Sequence, residues 1–214
     1  MIKTVQCYII GAGGHGRVIL SILQTPPLNN LVEVIGFLSD LPEEQGKIVN
    51  NILVYGTTKL LQIPSDDDIH VIVAIGDNNK RAKNFDSLQA KGIKFIKAVH
   101  PRAIIDSRAK IEDGVMICPG VVINTGAHID VNSIINTGTI IEHDCKIGKH
   151  VHIAPGSVLT GNVTIGDYTL VGAGSTVLPG VVIGANVIVG SGSVATKNIP
   201  DDSIVAGVPA KPIK

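Results

Sequence analysis

Three glycines near the start of the chain have the spacing of a phosphate-binding loop. Gly11, Gly13 and Gly16 form G-x-G-x-x-G within YIIGAGGHGRVIL, between a short apolar run and a segment with helical periodicity. Such a loop turns sharply and brings backbone N–H groups to a phosphate at the N-terminus of a helix. The glycines alone do not decide between NAD, a nucleotide sugar and a purely structural turn.

An acidic residue lies where a nucleotide site would need one. Asp40 follows the apolar run VEVIGFL, 24 residues after Gly16, so its carboxylate is placed to accept from a ribose hydroxyl. However, only about 100 residues precede the repeat that fills the rest of the chain. That length holds one mononucleotide-binding half, whereas a full dinucleotide site has two. We therefore favour a nucleotide sugar over NAD, and a structural turn stays open.

The second half of the chain repeats every six residues without a break. Fifteen successive sixes, from Ile105 to the one that begins at Val189, start with an aliphatic residue, and the fifth residue of each is small or β-branched. This period matches neither an α-helix nor antiparallel hairpins. It is typical of a parallel β-helix, in which each six supplies one short strand and one corner. Three sixes form a coil of 18 residues, so the pattern predicts five coils around an aliphatic core.

The first half alternates apolar strands with helices. The sequence predicts strands over the runs VQCYIIG, VEVIGFL, IHVIVAIG and IKFIKAV, and helices over residues 14–24, 57–61 and 78–90. This alternation is typical of a small, Rossmann-like, doubly wound α/β domain with a parallel sheet. Ligands bind such sheets at the carboxyl ends of the strands, where the glycine loop, Asp40 and Gly76 lie. The predicted organisation is an α/β domain over residues 1–100 and a β-helix with a C-terminal tail over residues 101–214.

These two halves together resemble a known family. The unbroken [LIV]-x-x-x-[small]-x array and the tail IPDDSIVAGVPAKPIK are similar to the hexapeptide-repeat acyltransferases, whose prism is a left-handed β-helix. With a small α/β domain opening on G-x-G-G-H-G, the chain resembles the sugar O/N-acyltransferases of sialic-acid and bacillosamine pathways. The likeness is greatest to N-acetyltransferases acting on UDP-4-amino-4,6-dideoxy sugars. It implies a sugar nucleotide in the first domain, acetyl-CoA as cosubstrate on the prism, and a homotrimer with acetyl-CoA between neighbouring prisms.

The resemblance also assigns roles to individual residues. It implies that His143 is the general base that takes a proton from the sugar amine, and that the adjacent acid, here Asp144, raises its basicity. Close relatives have Glu there, one methylene longer than Asp144, so Glu142 stays an alternative. Coenzyme-contacting positions match His152, Ala173 and Ser191. Positions that contact the sugar nucleotide match Gly14, His15, Gly16, Ser39, Asp40 and Gly76. Relatives often have two acids at 39 and 40, so here the ribose or base contact rests on Asp40.

Other chemistries fit parts of the pattern. The hexapeptide fold also carries γ-class carbonic anhydrases, but no two of the four histidines in the repeat lie 18 or 36 residues apart, so they do not stack as zinc ligands. No Ser or Cys is set beside a base, which favours direct transfer in a ternary complex, and Cys145 falls at an inward core position. The open alternatives are an O-acetyltransferase of sialic acid or a related sugar, a non-catalytic scaffold and a zinc enzyme. The favoured function requires no metal.

Composition argues against several partners. Lys plus Arg and Asp plus Glu each number 18, there is no Trp, and Phe and Tyr number three each. Such a chain lacks the basic field for nucleic acid or an anionic membrane surface, and it has little aromatic surface for base stacking. No apolar stretch is long enough to span a bilayer, and no signal-peptide pattern is present. With three widely spaced cysteines, these features indicate a cytoplasmic protein with reduced thiols.

Overall fold

A computed structural model describes residues 4–60 and 69–213. The chain divides into two units, Met1–Pro101 and Arg102–Lys214, and each has its own apolar core. The main elements of the first unit are β1 (Val5–Ile10), α1 (Gly14–Leu23), β2 (Val32–Leu38), β3 (Ile48–Val49), β4 (Ile52–Tyr55), β5 (Ile69–Val73), α2 (Asn78–Gln89), β6 (Lys94–Phe95) and β7 (Ala98–Val99). Short 3₁₀ helices cover Leu28–Asn30 and Thr58–Leu60.

The sheet of the first unit has the strand order β3-β4-β2-β1-β5-β6. Its pairs are parallel except for the β3–β4 hairpin. Ile9 of the central strand β1 and Ile72 of its neighbour β5 are fully buried, as expected for strands covered on both faces. The prediction of a parallel-sheet α/β domain is therefore confirmed.

Three segments differ from the sequence-based expectation. The run over 93–99 forms two separate strands, β6 and β7, although Ile96 N between them still donates to the Val71 carbonyl oxygen (3.0 Å). The predicted helix over 57–61 is the 3₁₀ turn Thr58–Leu60, and residue 61 lies outside the described residues. The β3–β4 hairpin has no counterpart in the prediction. Its turn residues, Asn50 and Asn51, have φ of 49° and 65°, the backbone of a two-residue hairpin loop.

The second unit is a solenoid of short strands. Each two-residue strand of the repeat pairs in parallel with the strand 18 residues further along, as Ile129 does with Ile147, and the strands form the three faces of a prism. Face 1 contains Met116–Ile117, Ile134–Ile135, His152–Ile153, Leu170–Val171, Ile188–Val189 and Ile204–Ala206. Face 2 contains Ile104–Ile105, Val122–Ile123, Ile140–Ile141, Val158–Leu159, Thr176–Val177 and Val194–Ala195. Face 3 contains Lys110–Ile111, His128–Ile129, Lys146–Ile147, Thr164–Ile165 and Val182–Ile183. This architecture agrees with a left-handed parallel β-helix, so the predicted fold class is confirmed.

The repeat has a physical reason at each constrained position. The aliphatic residue that begins each six is buried from Ile117 to Val189 and fills the prism. The hydroxyls of Ser133, Ser157 and Ser175, each fifth in its six, donate to backbone carbonyls inside the column (2.9, 2.9 and 3.0 Å). These buried hydroxyls therefore have hydrogen-bond partners inside the core. From 114 to 192 the fourth residue has positive φ and is usually Gly or Asn, which tolerate that backbone best.

Candidate functional site

A cavity of about 570 Å³ opens in the first unit at the carboxyl ends of β1, β2 and β5. It is lined by five of the six residues that the resemblance assigns to the sugar nucleotide, namely Gly14, His15, Ser39, Asp40 and Gly76. The sixth, Gly16, is absent from its lining. Side chains that the sequence pattern does not single out also line it: Leu41, Glu44, Thr58, Lys80, Lys83 and Asn84. A concave site at strand ends is the usual ligand site of an α/β sheet.

The glycines around this cavity are glycine for different reasons. Gly11 has a φ of 99°, and a Cβ at Gly16 would overlap the Gly11 carbonyl oxygen, so these two serve the turn and the packing of α1. Gly14 and Gly76 have no positive φ, and an added Cβ would meet no atom within 4 Å. The fold itself would accept a side chain at both positions. A ligand lying against the backbone would leave no space for such a side chain. Glycine at these two positions therefore favours a ligand-binding role.

A buried arginine supports one edge of the cavity. The Arg81 guanidinium is fully buried and donates to the carbonyl oxygens of Ile75 (3.1 Å) and Gly76 (3.2 Å), which fixes the backbone beyond β5. Burial, followed by the charge of Arg81, lowers the pKa of His15 to about 4. His15 is therefore neutral at pH 7, with one ring nitrogen able to donate and the other able to accept.

Two carboxylates on the β2 side of the cavity are oriented by hydrogen bonds. Ser39 is buried, and its Oγ donates to Glu44 Oε2 at 2.6 Å. Asp40 Oδ1 accepts from the backbone N and the Oγ1 of Thr58, at 3.2 and 3.4 Å. The hydroxyl of Ser39 thus orients the carboxylate of Glu44, an acidic residue that the sequence pattern does not connect to the site.

Helix α2 contributes positive charge to the cavity. Its N-terminus is capped by Asp77, whose Oδ1 accepts from Lys80 N at 2.8 Å. The exposed side chains of Lys80 and Lys83 line the cavity from this helix. Together with the N-terminus of α1 at the glycine loop, they make this part of the cavity suited to an anion such as a diphosphate.

In the second unit, His143 lies exposed on the corner between faces 2 and 3. Its Nδ1 is 2.9 Å from Oδ2 of Asp144, and the side chains are 51% and 59% exposed. Asp144 has a φ of 61° at the turn position that is glycine at 126 and 180 on the same corner. Glu142 is engaged elsewhere, because its Oε2 accepts from Asn124 Nδ2 at 2.9 Å. The structure therefore pairs His143 with Asp144 despite the shorter side chain.

The imidazole of His143 lies over a glycine of the next coil. A Cβ at Gly161, 18 residues further along, would come within 2.5 Å of His143 Nε2 and 2.7 Å of Cε1. Gly161 has no positive φ, so the turn does not require glycine there. The missing side chain leaves the space that the ring occupies. Sequence reasoning did not single out Gly161, although the 18-residue coil length connects it to His143.

The residues matched to coenzyme positions lie on other parts of the prism. His152 faces outward on face 1 with its Nε2 3.1 Å from Asn136 Nδ2. Ala173 and Ser191 are exposed in successive coils on the corner between faces 1 and 2. The structure therefore brings Ala173 and Ser191 onto one corner of the prism. Within a single chain, His143 lies on a different corner, the one between faces 2 and 3.

The structure also describes the cysteines and the residues that could hold a metal ion. No group of three His, Cys, Asp or Glu within 4–60 and 69–213 is arranged to hold a metal ion. Cys7, Cys118 and Cys145 are free and buried, and burial raises the pKa of the Cys145 thiol to about 11. Such a thiol is not a nucleophile at neutral pH. None of the helices in the described part of the chain is long and apolar enough to cross a membrane.

Two family models match the chain, one in each unit. The PglD N-terminal domain matches residues 6–88, and the bacterial transferase hexapeptide model (six repeats) matches residues 126–161 and 162–197. Comparison with curated proteins gives no significant match.

Several solved structures are similar over nearly the whole chain. One of them is a mutant of perosamine N-acetyltransferase from Caulobacter crescentus in which a histidine is replaced by asparagine, in complex with CoA and GDP-perosamine. It is 33% identical to this chain, and the match covers 98% of this chain and 97% of that one, with a TM-score of 0.89. The acetyltransferase domain of PglB from Neisseria gonorrhoeae, in complex with acetyl coenzyme A, is 34% identical with coverage of 99% and 100% and a TM-score of 0.91. WeeI from Acinetobacter baumannii is 26% identical with coverage of 98% and 100% and a TM-score of 0.87.

Proposed function

Since the chain belongs to the hexapeptide-repeat family of acetyl-CoA-dependent sugar acetyltransferases with a PglD N-terminal domain, we propose that it acetylates the amino group of a nucleotide-linked amino-deoxy sugar. The sugar is of the 4-amino-4,6-dideoxy type, and the sequence resemblance favours UDP as its carrier. Support comes from the Caulobacter crescentus relative, which binds CoA and GDP-perosamine, and from the anion-suited cavity of the first unit. The reaction belongs in the cytoplasm, in keeping with three free cysteines.

The observation that carries the mechanism is the exposed His143–Asp144 pair. Because an ionised carboxylate only accepts hydrogen bonds, the 2.9 Å contact keeps the proton of neutral His143 on Nδ1. The lone pair on Nε2 is then free to take a proton from a substrate. Asp144 holds the ring in this tautomer and stabilises the imidazolium that forms.

The transfer is direct and its protons balance. The neutral amine nitrogen attacks the carbonyl carbon of the thioester, a C–N bond forms, and the amine proton passes to His143 Nε2. The tetrahedral intermediate then breaks its C–S bond, and the imidazolium returns the proton to the sulfur of CoA. Base catalysis of this kind is typically worth ~10²–10⁴ in rate. No acyl-enzyme is required, in agreement with the buried thiol of Cys145.

The position of the coenzyme residues supports a homotrimer with shared sites. Ala173 and Ser191 lie on a different corner from His143, so a neighbouring prism is needed to bring a coenzyme edge to the histidine. Face 2 separates these two corners, and most of its outward side chains are aliphatic: Ile104, Val122, Ile140, Val158, Thr176 and Val194. Those of face 3 are mostly polar: Lys110, His128, Lys146, Thr164 and Val182. An aliphatic exterior face is suited to contact between copies.

Steady-state assays with His143→Ala test this function. Wild-type protein, acetyl-CoA and UDP- or GDP-linked 4-amino-4,6-dideoxy sugars should release free CoA thiol, and His143→Ala should lower kcat at least ~10²-fold while acetyl-CoA binding is unchanged. The matched control is His128→Ala, whose imidazole lies on face 3 beside Glu112 (3.1 Å) and should keep the native rate. A near-native kcat for His143→Ala would remove His143 from the mechanism.

The same assay distinguishes the O-acetyltransferase alternative. His143 would serve as base for a hydroxyl as well as for an amine, so the histidine variant does not separate the two. Sugars with a hydroxyl in place of the amine should be inactive. Thiol release with sialic acid or with the hydroxyl sugars, but not with the amino sugars, would replace N-acetylation by O-acetylation.

A further inference from the structure

The cavity of the first unit is electrostatically divided. Asp40 and Glu44 line it from the loop after β2, whereas Lys80 and Lys83 line it from α2. A diphosphate is repelled by the two carboxylates and attracted by the lysines and the N-terminus of α1. The hydrogen-bond donors of a nucleotide, which belong to its ribose and its base, therefore lie against the acidic side.

Glu44 is held in place by a buried partner. Ser39 is 4% exposed, and its Oγ donates to Glu44 Oε2 at 2.6 Å while accepting from Leu41 N at 3.2 Å. The Ser39 carbonyl oxygen accepts from Gln45 Nε2 at 3.1 Å, which further fixes this loop. A carboxylate oriented before the ligand arrives loses less conformational entropy on binding than a free surface glutamate.

The two carboxylates have different places along a bound nucleotide. Asp40 is the second residue after the end of β2, next to Ser39, which is the position of a ribose contact in this type of sheet. Glu44 lies further along the loop, beside Leu41, whose side chain is exposed and lines the cavity. An apolar side chain next to a fixed carboxylate offers a surface for the plane of a base and an acceptor for its edge.

On these grounds, and resting on the proposed function, we propose that Glu44 recognises the base of the sugar nucleotide and selects guanine over uracil. Guanine presents two adjacent donors, N1–H and N2–H, which match the two oxygens of a carboxylate. Uracil presents a single N–H flanked by two carbonyl oxygens, and these oxygens repel an ionised carboxylate. The substrate is therefore GDP-linked, which departs from the UDP carrier that the sequence resemblance favours.

Isothermal titration of the full chain with GDP and with UDP tests the assignment. We expect wild-type protein to bind GDP at least about tenfold more tightly than UDP, because a bidentate pair with a base edge gives discrimination of this order. Glu44→Gln, which replaces one acceptor by a donor, should weaken GDP at least about fivefold and leave UDP unchanged or tighter. Glu43→Gln is the matched control: Glu43 is exposed, outside the cavity lining, and should bind both nucleotides as wild type does.

The outcomes separate this inference from the function on which it rests. Wild-type protein that binds UDP as tightly as GDP or more tightly, or Glu44→Gln that weakens both equally, would overturn the role of Glu44 and leave the nucleotide-sugar function standing. If neither GDP nor UDP bound to folded wild-type protein, both the assignment and the proposed nucleotide site would fail.

Discussion

The two units present their candidate functional residues on backbones of different kinds. Around the cavity of the first unit, Gly14 and Gly76 have neither a backbone conformation nor a packing contact that demands glycine. On the prism, the turn position has positive φ from 114 to 192, and Asp144 occupies it on a corner that has glycine at 126 and 180 and asparagine at 162. In an irregular loop, a glycine without structural cause marks a ligand. On the prism, a side chain at the turn position is common, as at Asn132 and Asn162, and Asp144 is distinguished by its contact with His143.

The largest effect is expected on the prism, at the glycine that makes room for the imidazole of His143. Gly161→Ala should lower kcat by about 10²-fold, because its Cβ would come within 2.5 Å of His143 Nε2 and displace the imidazole from the sugar amine that it deprotonates. Binding of acetyl-CoA should change little. The measurement is kcat for Gly161→Ala alone and in a His143→Ala background.

The double variant provides the control. If Gly161→Ala acts through the imidazole, it costs nothing further once His143 is alanine, and the two losses are not additive. Full additivity of the two substitutions would show that Gly161 affects the enzyme by another route.

A second test separates two glycines of the same loop in the first unit. Gly16→Ala should lower the free energy of unfolding by about 1–3 kcal/mol, because its Cβ would overlap the Gly11 carbonyl oxygen. Gly14→Ala should keep the native melting temperature and raise KM for the nucleotide sugar about tenfold, because the new methyl group occupies ligand space. Thermal denaturation and initial rates measure the two effects. A Gly14→Ala variant with unchanged KM would remove that loop from the binding site.

A smaller effect, on the oligomeric state, is expected when a charge is added to one face of the prism. Ile140→Lys places an ammonium on the aliphatic exterior of face 2 and should shift a trimer towards monomers in light scattering, with activity falling in parallel. Thr164→Lys makes the same addition on the polar face 3 and should leave the mass unchanged. A wild-type monomer with full activity would contradict the shared site.

The sequence predicts the regular parts of this molecule because its constraints there are periodic. An aliphatic residue at every sixth position strongly favours a parallel β-helix, because a shift in register would move the aliphatic side chains of a coil from the core to the surface. The β3–β4 hairpin escapes the same reasoning because its strands are short, although the Asn50–Asn51 pair between aliphatic residues is a hairpin signal.

The site residues are predictable to a lesser degree. The sequence places His143 on a corner, and the coil length could have linked it to Gly161, because both relations follow from the repeat. The pairing of Ser39 with Glu44 depends on the path of a loop that has no period, and only the folded chain brings the two side chains to 2.6 Å. For the same reason, the choice between Asp144 and Glu142 as the partner of His143 needed the structure.

The 18-residue register of the faces has a consequence for how this enzyme tolerates changes in length. Adding or removing one whole coil between His143 and the tail would slide the downstream residues along the column axis and leave each on its own face. An insertion of six residues at the same place would instead turn every later corner by a third of a revolution. Ala173 and Ser191 would then lie on the corner that His143 occupies now, so natural variants of this chain should differ in length there by multiples of 18 and not of six.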